Sequence, residues 1–127
     1  MPITRIQQQT DECLPCCIAM VLNLSRETVV SWFEGREYDK MAVVEQVLAE
    51  KGYEVEKFDA PGKAGDLRRI VCLANQKGEG HVVVMDEDNL TIVDPGSKAT
   101  NLFEMQVLGY STRGAGGTFV IRAKNQK

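Results

Sequence analysis

The strongest constraint on this chain is a change of hydrophobic period near residue 52. Before that point apolar residues recur at helical spacing; beyond it they alternate, or run in short blocks bounded by turn residues. Cys13, Cys16, Cys17, Met20, Val21 and Leu24 share one helical face, which predicts a helix over 13–24. Pro15 fits its first turn, where a missing N–H costs nothing. Asp11 and Glu12 stand where a helix start favours negative charge, and Asn23 and Ser25 punctuate the end. Ser25 is expected to cap a second helix over 26–33, stopped by Gly35. Asp39 is expected to cap a third over 40–51, stopped by Gly52, with Met41, Val44, Val47 and Leu48 as its apolar face.

From Tyr53 to Phe58 apolar and charged residues alternate like a half-buried strand. Residues 60–65 read as a loop, and Asp66 as the cap of a short turn at Leu67. Ile70–Ala74 and His81–Met85 read as apolar strands. Residues 86–89, Asp-Glu-Asp-Asn, form a hairpin turn, Leu90–Val93 the return strand, and Asp94-Pro95-Gly96 a break. A last strand, Thr118–Arg122, follows a glycine-rich turn at 114–117. Helices first and strands after them predict an α+β fold, with N-terminal helices packed on an antiparallel β-sheet.

Composition bounds the function classes. The 127 residues make a single domain over 1–127, and a 43% hydrophobic share suffices for a core without disulfide or metal staples. The net charge is −3 with scattered basic residues, so no nucleic-acid partner is expected. No apolar run reaches the ~20 residues of a membrane segment. The stretch MPITRIQQQTDE is polar after its third residue, so a signal peptide is not expected and a cytoplasmic location is the default. Four cysteines, at 13, 16, 17 and 72, are too few for a secreted disulfide scaffold and are expected as free thiols. The oligomeric state is left open.

Three of the four cysteines crowd into five residues, and the first sits where a helix begins. A helix N-terminus stabilises a thiolate through its free N–H groups and dipole. Nucleophilic catalysis also needs a base and oxyanion donors. The only histidine, His81, opens an apolar strand after Gly78-Glu79-Gly80, well placed to face a cleft; alone it also reads as a surface residue. Asp94 follows thirteen residues later across a hairpin, so both lie near the same end of adjacent strands. A carboxylate there would fix the imidazole, or simply make an Asx turn with Pro95 and Gly96. A glutamine just ahead of the helix, among Gln7, Gln8 and Gln9, supplies an amide donor for an oxyanion.

These residues resemble the C39 peptidases of the papain-like cysteine protease clan. The stretch QQQTDECLPCCIAMV, residues 7–21, is similar to the start of that family: a glutamine, six residues on a cysteine preceded by an acid, then a helix of small residues. HVVVM…NLTIVDPG, residues 81–96, is similar to its second half. Two motifs of about fifteen residues each, in the right order, frame the whole chain. The resemblance implies a papain-like fold and a thiol peptidase that trims leader peptides, often as a domain of an exporter. It places Cys13 as nucleophile, His81 as base, Asp94 as orienting acid and Gln7 as oxyanion donor, with a peptide or protein substrate and no cofactor. Leu14 departs from the glycine usual after the family's cysteine, an expected reshaping of the cleft, and these 127 residues are not expected to include a transporter.

Three other readings compete. Cys13-Leu14-Pro15-Cys16 is a C-x-P-C at a helix start, as in thiol–disulfide redox proteins, but the residues before it are too polar for the buried strand those proteins place there. Cys13, Cys16 and Cys17 with Cys72 or His81 would make a metal site, although one CxxC running on into a helix is a weak form of it. The third is an inactive papain-like binding module, disfavoured because both cysteine and histidine are kept. Trp32 and Phe33 read as core, and Arg68-Arg69 as a solvated pair at a strand start.

Overall fold

The computed structural model describes residues 3, 5–6, 13–36, 40–59, 65, 67–112 and 117–124. Its elements run α1 (Cys13–Leu22), α2 (Arg26–Trp32), α3 (Met41–Glu50), β1 (Tyr53–Phe58), β2 (Arg69–Ala74), β3 (Gly80–Met85), β4 (Ile92–Val93), α4 (Leu102–Val107) and β5 (Thr118–Ala123). The fold is α+β, four helices with a five-stranded antiparallel sheet in the order β1-β5-β2-β3-β4. The expectations at Asp11, Glu12, Asp39, Asp66 and residues 114–116 lie outside the described residues.

The helix ends follow from local chemistry. Asn23 adopts φ 58°, and the Leu24 amide donates to the Ala19 carbonyl at 2.9 Å, so α1 stops in a left-handed cap. Ser25 caps α2 by accepting from the Thr28 amide at 3.2 Å. At α3 the cap position falls on Lys40, which makes no side-chain capping bond. Leu14 to Met20 are all buried, so α1 is the central helix. It lies against β3, β2 and α2.

Period-two alternation then sorts the strands between two cores. Ile70, Val84, Phe119 and Ile121 face α1–α3 in one cluster with Ile18, Val29, Val44, Val47 and Leu48. Val71, Leu73, Val83, Met85 and Ile92 face the other way, with Met105 of α4. Phe33 is buried, whereas Trp32 is half-buried with its ring 6.2 Å from that of Tyr53. β5, last in sequence, lies between β1 and β2. It enters past Gly117 at φ +97°, where a Cβ would stand 2.9 Å from the Phe58 carbonyl.

Three expectations need correction. The return strand is Ile92–Val93, not Leu90–Val93: Leu90 is 69% exposed, and the Leu90 and Thr91 amides donate to Asp88 Oδ1 instead of joining the ladder. Arg69 is not solvated but 0% exposed. Its guanidinium donates to the Leu67 carbonyl at 2.7 Å, the Gly65 carbonyl at 3.0 Å and Asn89 Oδ1 at 2.5 Å, which fastens the approach to β2 onto the hairpin turn. Helices and strands are also not fully segregated, because α4 intervenes before β5. The one sequence signal for α4 is Asn101 followed by Glu104. Asn101 Oδ1 accepts from the Glu104 amide, and Glu104 Oε1 reaches back to the Thr100 amide.

Candidate site at the start of α1

Cys13 opens α1 and is partly exposed, while Cys16 and Cys17 are fully buried. Leu14, one position on from Cys13, packs into the first cluster, so its bulk is directed inward. The Cys17 thiol donates to the Val82 carbonyl at 3.4 Å, which fastens α1 to β3 one residue from His81.

His81 pairs with Leu73 across β2 and β3. Continuing the register of Val84 with Val93 puts Asp94 opposite Val83, diagonal to His81 on the same face. The side chains meet: His81 Nε2 lies 2.6 Å from Asp94 Oδ1, and the two are 11% and 2% exposed. Asp94 is held in turn. Its Oδ1 also accepts from the Gly96 amide at 2.8 Å, and its Oδ2 from the Ser97 hydroxyl at 2.5 Å. The orienting contact and the Asx turn therefore coexist. Burial alone would raise the Asp94 pKa, but the bonds from His81, Ser97 and Gly96 and the charge of His81 hold it below its ordinary 3.8.

His81 faces Cys13 as well. Burial on its own would lower the imidazole pKa; hydrogen bonds with Asp94 and Cys13, and the charges of both, outweigh burial and push it up to about 9. With Nε2 on Asp94, Nδ1 is the nitrogen left for sulfur. The neighbouring thiols are set against ionisation. Burial, with the charges of Cys13, Cys16, Asp94 and Cys72, raises the Cys17 pKa well above 9.0. Burial and Cys13 raise that of Cys72. One thiol, one imidazole and one buried carboxylate thus converge from α1, β3 and the loop after β4. Gln7 lies outside the described residues.

Two residues that sequence reading passes over belong to this assembly. Arg5 reaches 89 positions along the chain: its Nε donates to the Asp94 carbonyl at 2.9 Å, and its Nη2 to the carbonyls of Ser97 at 2.8 Å and Pro95 at 3.4 Å. It ties the segment ahead of α1 to the loop that carries Asp94, and nothing in local sequence signals it. Tyr110 lays its ring 5.3 Å from that of His81, tilted by 42°.

The rival arrangements find little support. Every strand pairing among the described residues is antiparallel, so the βαβ unit of a thioredoxin-like protein is not there. Among the described residues no group of three or more His, Cys, Asp or Glu side chains is placed to hold a metal ion. Among the described residues no single helix is long and apolar enough to cross a membrane.

What the fold and site define is an α+β protein in which a histidine held by a buried aspartate stands near a cysteine at the start of a helix. No family model matches the chain, and no curated protein matches it.

Proposed function

We propose that this chain is a cysteine hydrolase that cuts a peptide or amide bond through Cys13, His81 and Asp94, on a papain-like plan. The observation that carries the reading is His81 itself: held at Nε2 by a buried, bond-saturated carboxylate, and close enough to Cys13, partly exposed at a helix start, for that thiol to help raise its pKa. A histidine serving only the core has no use for both partners. The nucleophile helix packed against the strand that carries the base is also the layout expected of C39-like, leader-trimming peptidases.

The chemistry runs as thiol acyl transfer. His81 draws the proton from Cys13, or the pair already rests as thiolate and imidazolium, and sulfur adds to the carbonyl carbon. The Cys13 backbone N–H, at the open end of α1, and Gln7 by its place in the sequence, donate to the developing oxyanion, each worth about 3 kcal/mol. The C–N bond breaks as His81 returns its proton to the leaving amine. Water, deprotonated by His81, then hydrolyses the thioester and frees the acid.

The decisive experiment alkylates each cysteine with iodoacetamide across pH, read by mass spectrometry, in wild type and His81→Ala. Rapid labelling of Cys13 below neutral pH, lost in the variant, is the expected result. Slow labelling unchanged by the substitution would leave a fold with no working nucleophile, and a binding role would replace this reading. A reversible Cys13–Cys16 disulfide would favour the redox alternative.

A further inference from the structure

We propose that the cavity beside Tyr110 is the subsite for the leaving-amine side of the substrate, and that it takes a small uncharged hydrogen-bonding residue such as serine, asparagine or glutamine. This rests on the acyl-transfer reading above. In that reaction the imidazole hands its proton to the departing amine, so the leaving group must lie on the His81 side of the sulfur. Tyr110 lies against the imidazole, ring centroids 5.3 Å apart, and the same residue forms one wall of a cavity of about 350 Å³ next to it. That volume is ample for one amino-acid side chain.

Its lining has a definite chemistry. Asn75, Gln76, Gln106, Tyr110 and Ser111 contribute amides and hydroxyls, and no charged side chain lines it among the described residues. Asn75 is committed to its own turn: its Oδ1 accepts from the Lys77 and Glu79 amides and its Nδ2 donates to Glu79 at 2.9 Å. The side-chain polar groups of Gln76, Gln106, Tyr110 and Ser111 make no hydrogen bond among the described residues and are open to a ligand. The floor is rigid, because Ser111 and Ala74 exchange backbone hydrogen bonds at 2.9 and 3.0 Å. A charged group entering would lose hydration without a counter-charge. A hydrocarbon would leave the amides unpaired. A neutral donor–acceptor group meets both demands.

Amines that intercept an acyl-enzyme use the leaving-group subsite in reverse, so the subsite is testable without the natural substrate. Cys13 is acylated with benzyl thioesters of N-acetyl amino acids, and the acyl-enzyme is read by intact mass. Serinamide, asparaginamide, glutaminamide, leucinamide, lysinamide and aspartic acid α-amide then compete with water. The neutral polar amines are expected to give aminolysis-to-hydrolysis ratios about tenfold above the others. Gln106→Glu, on an exposed helix position, is expected to raise lysinamide relative to serinamide. Acylation of Cys13 with flat ratios, or with leucinamide or a charged amine preferred, overturns the subsite and leaves the Cys13–His81 reading standing. Failure to acylate Cys13, or acylation unchanged in His81→Ala, overturns that reading and the subsite with it.

Discussion

The two faces of the sheet are covered very differently. On the α1–α3 face fourteen buried residues form one cluster among those described; on the α4 face there are six. α4 contributes Met105 to the smaller core while Phe103 and Val107, on the same short helix, are 72% and 73% exposed. The candidate site lies on the seam. Its sulfur comes from the heavily packed side, its carboxylate from the loop leading to the lightly packed one, and its imidazole from a strand between them. The lesson is a division of labour: the proposed nucleophile sits on the best-anchored helix, and the elements that shape what surrounds the imidazole sit where packing is thin and change is cheap.

That comparison can be broken in several ways. The largest effects belong to the seam. Cys13→Ala and His81→Ala should each remove turnover, a loss of at least about a thousandfold, with far-UV circular dichroism unchanged. Substantial activity in Cys13→Ala would end the proposed mechanism. Asp94→Ala should cost less, about a hundredfold, because it orients the base without touching substrate; a loss as deep as that of His81→Ala would make Asp94 more than an orienting group.

Core truncations probe the asymmetry itself. Ile18→Ala, at the centre of the large cluster, should cost about 4 kcal/mol of unfolding free energy, and Met105→Ala about 2 kcal/mol, because thin cover relaxes into a cavity more readily. Urea denaturation checks both, and equal losses would mean that the two faces are equally consolidated. Arg5→Ala should lower activity about threefold to tenfold by loosening the Asp94 loop, with Arg5→Lys recovering part of it. A loss of stability without any movement of the pH–rate profile would assign Arg5 to folding alone.

The smallest effect is in the pH dependence of stability. His81 rises in the fold from 6.5 to about 9, so the folded state favours its charged form. That contribution is complete below pH ~6.5 and disappears as pH climbs through about 9. Asp94 runs the other way: its contribution is present above its ordinary 3.8 and disappears as pH falls through its lowered value. The stability curve of wild type minus that of His81→Gln should therefore decline between pH ~6.5 and ~9. A flat difference would mean that the imidazole is not held by charge. Activity should fall over the same basic limb, where the proton for the leaving amine is lost.

Much of this was legible in the sequence where the signal was local. Helical spacing located α1 to α3 within two residues of each end, and alternation located β1. The apolar blocks located β2, β3 and β5. His81 and Asp94 were brought to one end of a hairpin by counting alone. What failed was what depends on distant partners. Arg69 looks solvated because arginine usually is; only Gly65, Leu67 and Asn89 around it explain its burial. α4 was passed over because Phe103 and Val107 face outward, so its apolar residues do not define one buried side. Arg5 acts across 89 positions, and Tyr110 meets His81 only after the sheet has formed.

The saturation of Asp94 has a consequence for exchangeability. One oxygen accepts two N–H groups, from His81 and Gly96; the other meets a hydroxyl, that of Ser97. A hydroxyl reverses its role at no cost, donating to an oxygen or accepting from an NH₂. An asparagine carboxamide would therefore seat in the same place, its oxygen toward His81 and Gly96 and its nitrogen toward Ser97. The pocket selects the shape of an acceptor, and the negative charge is separable from it. Exchanging acid for amide at this position would trade the pH at which the imidazole holds its proton while its direction stays the same.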